Sequence, residues 1–322
     1  MLLRYAVYGL ALDSEVALPE LEAAPLLDAV NGVVRVRLGR GALPLGDPAS
    51  LAYTSLYRTP GGEPLLRIYR EGAGLLLHYP DIAAFRVHAD SVTVFPAKGC
   101  HPRRWRQFLL GPALSVLLEL RGVPCLHAAA VVMDGGAVGF LATSTGGKTV
   151  LASTFVEAGT TLLCDDILAV RQKEDAFWGE PGPPQLKVWP EAARELLGDD
   201  WQHLEPVVPR SEKRRLAVGQ HWGAFCSAPQ PLQTLYVPHR TDPSEGTAIE
   251  VAPLPPGAAL IELVRHSFCA RIADALGWQQ RRLELLAALV EQVPIRRLRY
   301  PSGFSHLPAV RETILNDVEE NV

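Results

Sequence analysis

Residues 137–149 read AVGFLATSTGGKT, a short apolar run followed by a loop rich in hydroxyl and glycine residues. The loop ends in Gly147-Lys148-Thr149, and the residues that follow are compatible with a helix. A strand, such a loop and a helix form a phosphate-binding unit, because backbone N–H groups at a helix N-terminus bind phosphate oxygens. In this unit the lysine ammonium reaches the outer phosphates, and the threonine hydroxyl is a ligand of Mg²⁺.

The loop departs from the consensus GxxxxGK[ST] at one position, because residue 142 is alanine rather than glycine. The hydroxyl and N–H groups of residues 143–145 suit phosphate oxygens, although these residues could also be ordinary turn formers. We expect a nucleotide to be bound by the loop residues Ala142, Thr143, Ser144, Thr145, Gly146, Gly147, Lys148 and Thr149.

Polar residues flank the loop on both sides along the chain. His127 stands at the start of the preceding apolar run, and Asp165-Asp166 follow the predicted strand Thr161–Cys164. Neighbouring strands could bring them to one edge of a sheet, where ligands of open α/β sheets bind. One carboxylate could then hold Mg²⁺ with the Thr149 hydroxyl, and the other could accept a proton from an acceptor hydroxyl. Alternatively, Asp165-Asp166 could form an exposed turn at the end of the strand, and His127 could have only a structural role.

The sequence pattern changes near residue 100. Residues 1–100 contain short apolar runs separated by Gly, Pro and Asp, so we expect a β-rich N-terminal domain there. Residues 101–322 alternate between helix and strand patterns around the loop, so we expect an α/β P-loop domain. In detail we predict one strand over Leu3–Leu12, loops over residues 171–184 and 206–232, and one helix over Gly257–Leu276.

Composition narrows the classes of function. The chain has 322 residues, of which 48% are apolar, so it can bury a large core. Its formal net charge of −4 argues against a general nucleic-acid binder. We expect no membrane association, since the longest helical apolar stretch is too short to span a bilayer. The five cysteines lack metal-site spacing and no signal peptide precedes them, so we expect a cytoplasmic protein with reduced thiols.

Three segments together resemble a known family. They are LHAAAV at 126–131, the loop with its preceding strand at 139–149, and LCDD at 163–166. The stretch resembles the HPr kinase/phosphorylase superfamily, and is most similar to the shorter HPr-kinase-like serine kinases of peptide-modification gene clusters, such as lasso-peptide precursor kinases. The family spacing is kept, with 21 residues from His127 to Lys148 and 17 from Lys148 to Asp165.

The resemblance implies a serine kinase with ATP and Mg²⁺ as cofactors, built on an α/β P-loop kinase core. It implies that Asp165 is the general base and that Asp166 and Thr149 lie on the Mg²⁺ side. Lys148 would clamp the phosphates, and His127 would assist at the terminal phosphate. The implied substrate is a hydroxyl of a small protein or of a ribosomal peptide precursor.

The chain also departs from the family pattern. Ala142 and Thr145 replace two loop glycines, which predicts a stiffer loop. The chain has no Arg-Gly-Leu-Gly segment after the kinase core, a segment associated with the phosphorylase activity of HPr kinase. We therefore do not expect HPr to be the substrate, and we do not expect the reverse phosphorolysis reaction. The basic stretch at 210–215 supplies Arg210, Lys213 and Arg214 as candidates for binding an acidic substrate or transition-state charge. The alternative for this stretch is a solvated loop.

Other functions stay open at this point. The altered loop would suit a catalytically weakened module that senses nucleotide or binds a peptide, although such a module has no chemical need for both Lys148 and Asp165. A kinase of free serine is a further alternative. The acceptor, the choice between ATP and GTP, and assembly as a homo-oligomer are not decided by the sequence.

Overall fold

The computed structural model forms two compact units. Unit 1 comprises residues 1–125, 208–210 and 269–282, and unit 2 comprises residues 126–207, 211–268 and 283–322. The described residues are 2–21, 32–133, 135–220, 222–242, 244 and 246–320.

Unit 1 contains a sheet in which the described residues supply eight strands. Its order is β1-β2-β3-β8-β7-β6-β5-β4. The strands are β1 (Leu3–Val7), β2 (Leu10–Ser14), β3 (Val33–Leu38), β4 (Leu51–Thr54), β5 (Arg67–Glu71), β6 (Gly74–Tyr79), β7 (Ala83–His88) and β8 (Ser91–Pro96). The expected β-rich N-terminal part is therefore confirmed. The single strand predicted over Leu3–Leu12 is wrong, because Tyr8 (φ 54°) and Gly9 (φ 71°) turn the chain into a hairpin.

A helical run follows the sheet of unit 1. It consists of α1 (Pro102–Phe108), one π-helical turn (Leu109–Ala113) and α2 (Leu114–Leu120). The wide turn coincides with Pro112, which has no N–H to donate. The run packs within unit 1, since the Phe108 ring lies 4.7 Å from Tyr79 and Arg106 pairs with Glu20 at 2.9 Å. The contact-based division therefore falls later in the chain than the predicted domain boundary at residue 100.

Unit 2 is a mixed α/β layer structure. Its main sheet has the order β17-β12-β10-β11-β18-β14-β13-β9, and β20 joins it by pairing with β18 and β19. The strands are β9 (Cys125–Leu126), β10 (Ala128–Met133), β11 (Gly136–Leu141), β12 (Thr161–Cys164), β13 (Leu168–Lys173), β14 (Ala176–Glu180), β15 (Gln185–Val188), β16 (Arg214–Ala217), β17 (Ala224–Phe225), β18 (Gln230–Thr241), β19 (Glu250–Pro253) and β20 (Ile295–Pro301). β15 and β16 form a separate two-stranded sheet.

Helices cover both faces of the main sheet. The remaining helices are α3 (Lys148–Glu157), α4 (Pro190–Leu197), α5 (Pro256–Arg265), α6 (Ala270–Leu276, in unit 1), α7 (Gln279–Gln292) and α8 (Leu307–Glu319). Alternate residues of β11 enter two different cores, with Phe140 packing among residues of α3 and α8 and Leu141 among residues of α5 and α7. This alternation is the period of a strand buried on both faces. The predicted α/β class is confirmed.

Strand directions bring the chemically interesting residues to one edge of the main sheet. β11 is antiparallel to β10 and β10 is antiparallel to β12, so β11 and β12 run in the same direction and end at the same edge. Ala128 of β10 pairs with Leu141, which places the preceding residue, His127, at that edge as well. β18 and β20 run parallel to β11, so their last residues, including Arg240 and Tyr300, end there too.

Several elements differ from the sequence predictions. The predicted loops over residues 171–184 and 206–232 are wrong, because both regions contain strands that pair with neighbouring strands despite their proline and charged residues. The single helix predicted over Gly257–Leu276 is wrong as well. It is interrupted after Arg265, where Ser267 forms a β-bridge to Leu126. In the described part of the chain, no helix combines the length and the apolar character needed to cross a bilayer.

Candidate active site

The phosphate loop connects β11 to α3 and has a defined turn. Gly146 N–H donates to Thr143 O at 3.0 Å, and Gly147 adopts a left-handed conformation (φ 94°) as the N-cap of α3. A Cβ on Gly146 would lie 2.7 Å from the Ala142 Cβ, and a Cβ on Gly147 would lie 2.9 Å from the Tyr300 hydroxyl. Both glycines are therefore required by close approach, and Gly147 also by its φ. The first turn of α3 presents N–H groups that lack intrahelical acceptors to this loop.

Thr145 occupies the loop position with the strongest backbone constraint. Its φ is 68°, a region that β-branched residues rarely adopt. Two hydrogen bonds hold it there, since its own hydroxyl donates to Ser144 O and the Arg240 guanidinium donates to Thr145 O. The loop thus keeps the left-handed conformation without a glycine, at the cost of strain that neighbouring groups stabilise.

Asp166 is the centre of an ionic cluster. Lys148 Nζ lies 3.1 Å from Asp166 Oδ1, and Lys187 Nζ lies 2.9 Å from Asp166 Oδ2. His127 Nε2 is 3.7 Å from Asp166 Oδ1. Burial alone would raise the pKa of Asp166, but Lys187, His127 and Lys148 together lower the pKa well below its ordinary value. Asp166 is therefore held as a carboxylate, in a left-handed backbone conformation (φ 71°) of the kind that clusters at functional sites.

Asp165 faces the helix side of the loop. The Thr149 hydroxyl donates to Asp165 Oδ1 at 2.8 Å, and Lys187 N–H donates to Asp165 Oδ2 at 2.9 Å. Burial, followed by repulsion from Asp166, raises the pKa of Asp165. A divalent cation beside this carboxylate would favour its charged form. Because Mg²⁺ prefers oxygen ligands, the carboxylate and hydroxyl oxygens of Asp165 and Thr149 fit such an ion.

His127 is fixed by the segment that follows α5. Its N–H donates to His266 O at 2.6 Å, and its ring lies 6.0 Å from the ring of Phe268 in an edge-to-face arrangement. The His127 side chain is about a quarter exposed, at 23%. It can therefore meet both Asp166 and a ligand at the edge of the sheet.

A cavity of about 560 Å³ opens over the loop within unit 2. Its wall includes Lys148, Thr149, Lys187 and Trp189. This volume is in the range of small-molecule sites. Loop residues and the three lysines Lys148, Lys187 and Lys213 line this space, and Thr149, Lys148 and Lys187 connect it to the aspartate pair. Backbone N–H groups and ammonium groups are suited to binding a polyphosphate.

The basic stretch at 210–215 is divided between different surroundings. Lys213 lines the cavity, and its Nζ lies 5.2 Å from the centroid of the Trp189 ring. The Arg214 guanidinium instead lies over the Trp201 ring at 5.8 Å, and Arg210 belongs to unit 1. Of the three sequence candidates, Lys213 is the one brought to the cavity.

Two site residues were missed by sequence reasoning. Lys187 lies in the Pro-rich region 181–190, although the alternation of Gln185–Val188 is a weak strand signal. Arg240 is the last but one residue of β18, which extends to Thr241. The rule that ligands bind at the carboxyl ends of parallel strands could have identified Arg240. The roles assigned to the other loop and edge residues from the sequence stay predictions.

The chain is similar to a solved structure but matches no family model. No protein-family model matches the chain, and no curated protein matches it. Among solved structures, the chain is similar to the Hpr(Ser) kinase/phosphatase from Coxiella burnetii, with 12% sequence identity over 62% of this chain and 99% of that chain. The TM-score is 0.33, too low to support a functional conclusion. A functional assignment therefore depends on the residues of this chain and their geometry.

The loop geometry predicts opposite effects for two substitutions. Thr145→Gly should raise the free energy of unfolding by about 1 kcal/mol, because relief of ~1–3 kcal/mol of strain exceeds the entropic cost of glycine. Gly147→Ala should lower it, since alanine is strained at φ 94° and its Cβ would press on Tyr300. Thermal unfolding of both variants checks this. A lower midpoint for Thr145→Gly than for the unsubstituted protein would contradict the strain assigned to residue 145.

Proposed function

We propose that this chain is a Mg²⁺-dependent kinase that transfers the terminal phosphoryl group of ATP to a serine hydroxyl of a small protein or ribosomal peptide precursor. The observation that carries the proposal is the hydrogen bond from Thr149, directly after the loop lysine, to the buried carboxylate of Asp165. Beside this pair stands a second carboxylate, Asp166, held by two lysines. Phosphoryl transfer requires these groups, because positioning and charge neutralisation supply most of the catalysis.

The residues of the loop suit the nucleotide. Its backbone N–H groups and the Lys148 ammonium would hold the phosphates, and Thr149 with Asp165 would hold Mg²⁺. Bound Mg²⁺ would neutralise charge on the phosphate oxygens, and ATP would supply the phosphoryl group. The cavity volume of about 560 Å³ is sufficient for a ligand of that size class.

The geometry favours roles for the two aspartates that are the reverse of those implied by the resemblance. Asp165 bonds to the Thr149 hydroxyl, so we assign it to the Mg²⁺ side. Asp166 lies close to His127 and Lys148, so we assign it to the acceptor. In the reaction the acceptor oxygen forms a bond to the terminal phosphorus, and the bond from that phosphorus to the bridging oxygen of ADP breaks. Asp166 accepts the hydroxyl proton, with His127 beside it.

The choice of acceptor has separate support. The resemblance of residues 126–166 to serine kinases of peptide-modification clusters favours a peptide or small protein. A module that only senses nucleotide would need the loop but would not need Asp166 between two lysines. A kinase of free serine would use the same carboxylates, so the acceptor itself has to be tested.

Phosphoryl transfer is tested by incubating the purified protein with γ-labelled ATP, Mg²⁺ and peptides encoded near its gene, with free serine in a parallel reaction. We expect a labelled serine in a peptide. Asp166→Asn should lower the transfer rate by about 10²–10⁴-fold, the range for loss of a general base, with ATP still bound. Asp199→Asn, an exposed aspartate outside the cavity, is the matched control. Absence of any labelled acceptor, or wild-type turnover by Asp166→Asn, would refute the proposal.

The two aspartates are separated by a Mg²⁺ titration. Asp165→Asn should raise by at least tenfold the Mg²⁺ concentration at which ATP binding is half-enhanced, because it removes a charged metal ligand. Asp166→Asn should change that concentration less than threefold. Calorimetry of ATP binding at increasing Mg²⁺ measures both. The reverse order of effects would return the metal to Asp166, as the sequence resemblance implies.

A further inference from the structure

Lys187 has an unusual set of contacts for a residue outside the phosphate loop. Its side chain is 12% exposed, and its Nζ lies 2.9 Å from Asp166 Oδ2. Its backbone N–H donates to Asp165 Oδ2 at 2.9 Å. One residue therefore contacts both carboxylates, and it is also one of the residues that line the cavity over the loop.

The two lysines of the cluster share one anion. Lys148 Nζ meets one oxygen of Asp166 and Lys187 Nζ meets the other. A phosphate group, like a carboxylate, presents oxygens side by side and can bridge the same pair of ammonium groups. A lysine ammonium is a compact charge with three hydrogen-bond donors, so each lysine can contact Asp166 and a phosphate oxygen at the same time. Asp166 thus occupies the position of an anion between two cations.

We propose that Lys187 is a second phosphate-binding lysine, which contacts the terminal phosphate of the nucleotide and so distinguishes a nucleoside triphosphate from a diphosphate. This inference rests on the proposed function. Lys148 belongs to the loop itself, and its ammonium would contact both outer phosphates of the nucleotide. Lys187 comes from β15 and contacts Asp166, the carboxylate assigned to the acceptor.

The position of Lys187 is fixed from several directions. The backbone of β15 pairs with β16, where Lys187 stands opposite Arg215. The hydrogen bond from Lys187 N–H to Asp165 fixes the same residue at the edge of the main sheet. An ammonium on a fixed backbone binds a phosphate with less loss of conformational entropy than one on a mobile loop.

Other cations of the cavity have different partners and provide controls. Lys213 Nζ lies over the Trp189 ring, and Arg240 donates to Thr145 O. Lys213→Met removes a positive charge from the same cavity as Lys187→Met does. The two variants therefore separate a specific contact from a general effect of cavity charge.

The test is calorimetry of ATP and ADP binding, with Mg²⁺ present, to the full chain and its variants. We expect Lys187→Met to raise the Kd for ATP by at least tenfold and the Kd for ADP by less than twofold. Lys148→Met should raise both, and Lys213→Met should leave the ratio of the two Kd values unchanged. Equal changes for ATP and ADP in Lys187→Met, or no change, would overturn the role of Lys187.

If Lys187→Met does not fold, a second pair of variants, in which the charge of Asp166 is also removed, tests the same role of Lys187. Removing Lys187 leaves Asp166 with one lysine fewer in a partly buried site, which can destabilise the protein. Asp166→Asn/Lys187→Met removes both charges, and Asp166→Asn is its reference. The double variant should show the same selective loss of ATP affinity relative to Asp166→Asn, and an unselective loss would overturn the inference. If the unsubstituted protein binds neither ATP nor GTP, the proposed function itself fails.

Discussion

Two adjacent carboxylates at the end of β12, the buried Asp165 and the partly buried Asp166, impose the main electrostatic constraint on unit 2. Neighbouring anions in a poorly solvated site repel each other, so each needs donors or cations. Asp165 receives the Thr149 hydroxyl and Lys187 N–H, and Asp166 receives the ammonium groups of Lys148 and Lys187. The loop, the start of α3 and the strand β15 are therefore held around the aspartate pair by the same contacts that give the site its chemistry.

Strand direction explains why these contacts are possible. β11 and β12 end at the same edge because both are antiparallel to the intervening β10, whose first residue pairs with the last residue of β11. β18 and β20 continue the direction of β11 and deliver Arg240 and Tyr300 to the loop. The side chains of β11 are buried on both faces of the sheet, so its register is fixed by packing. The position of the loop follows from that register.

The sequence predicted the parts of the site that are local in the chain. The loop at 142–149, the helix from Lys148 and the aspartates after Cys164 each follow from adjacent residues. The expectation that neighbouring strands end at one edge of a sheet was enough to suggest that His127 joins them. Lys187 was missed because its contact with Asp166 depends on the pairing of β15 with β16, two segments within regions rich in Pro and charge. The left-handed conformation of Thr145 was also beyond prediction, since one of the hydrogen bonds at this residue comes from Arg240, 95 residues away.

The double contact of residue 187 links the two halves of the site mechanically. Its N–H bonds to the aspartate beside Thr149, and its ammonium bonds to the aspartate beside Lys148 and His127. A shift of the first carboxylate toward an ion would move the backbone that carries the second contact. Thermodynamic linkage makes such an effect reciprocal, so occupancy at either aspartate would alter affinity at the other. Lys187 alone would thus make the binding of metal and the binding of polyphosphate cooperative, without any movement of whole domains.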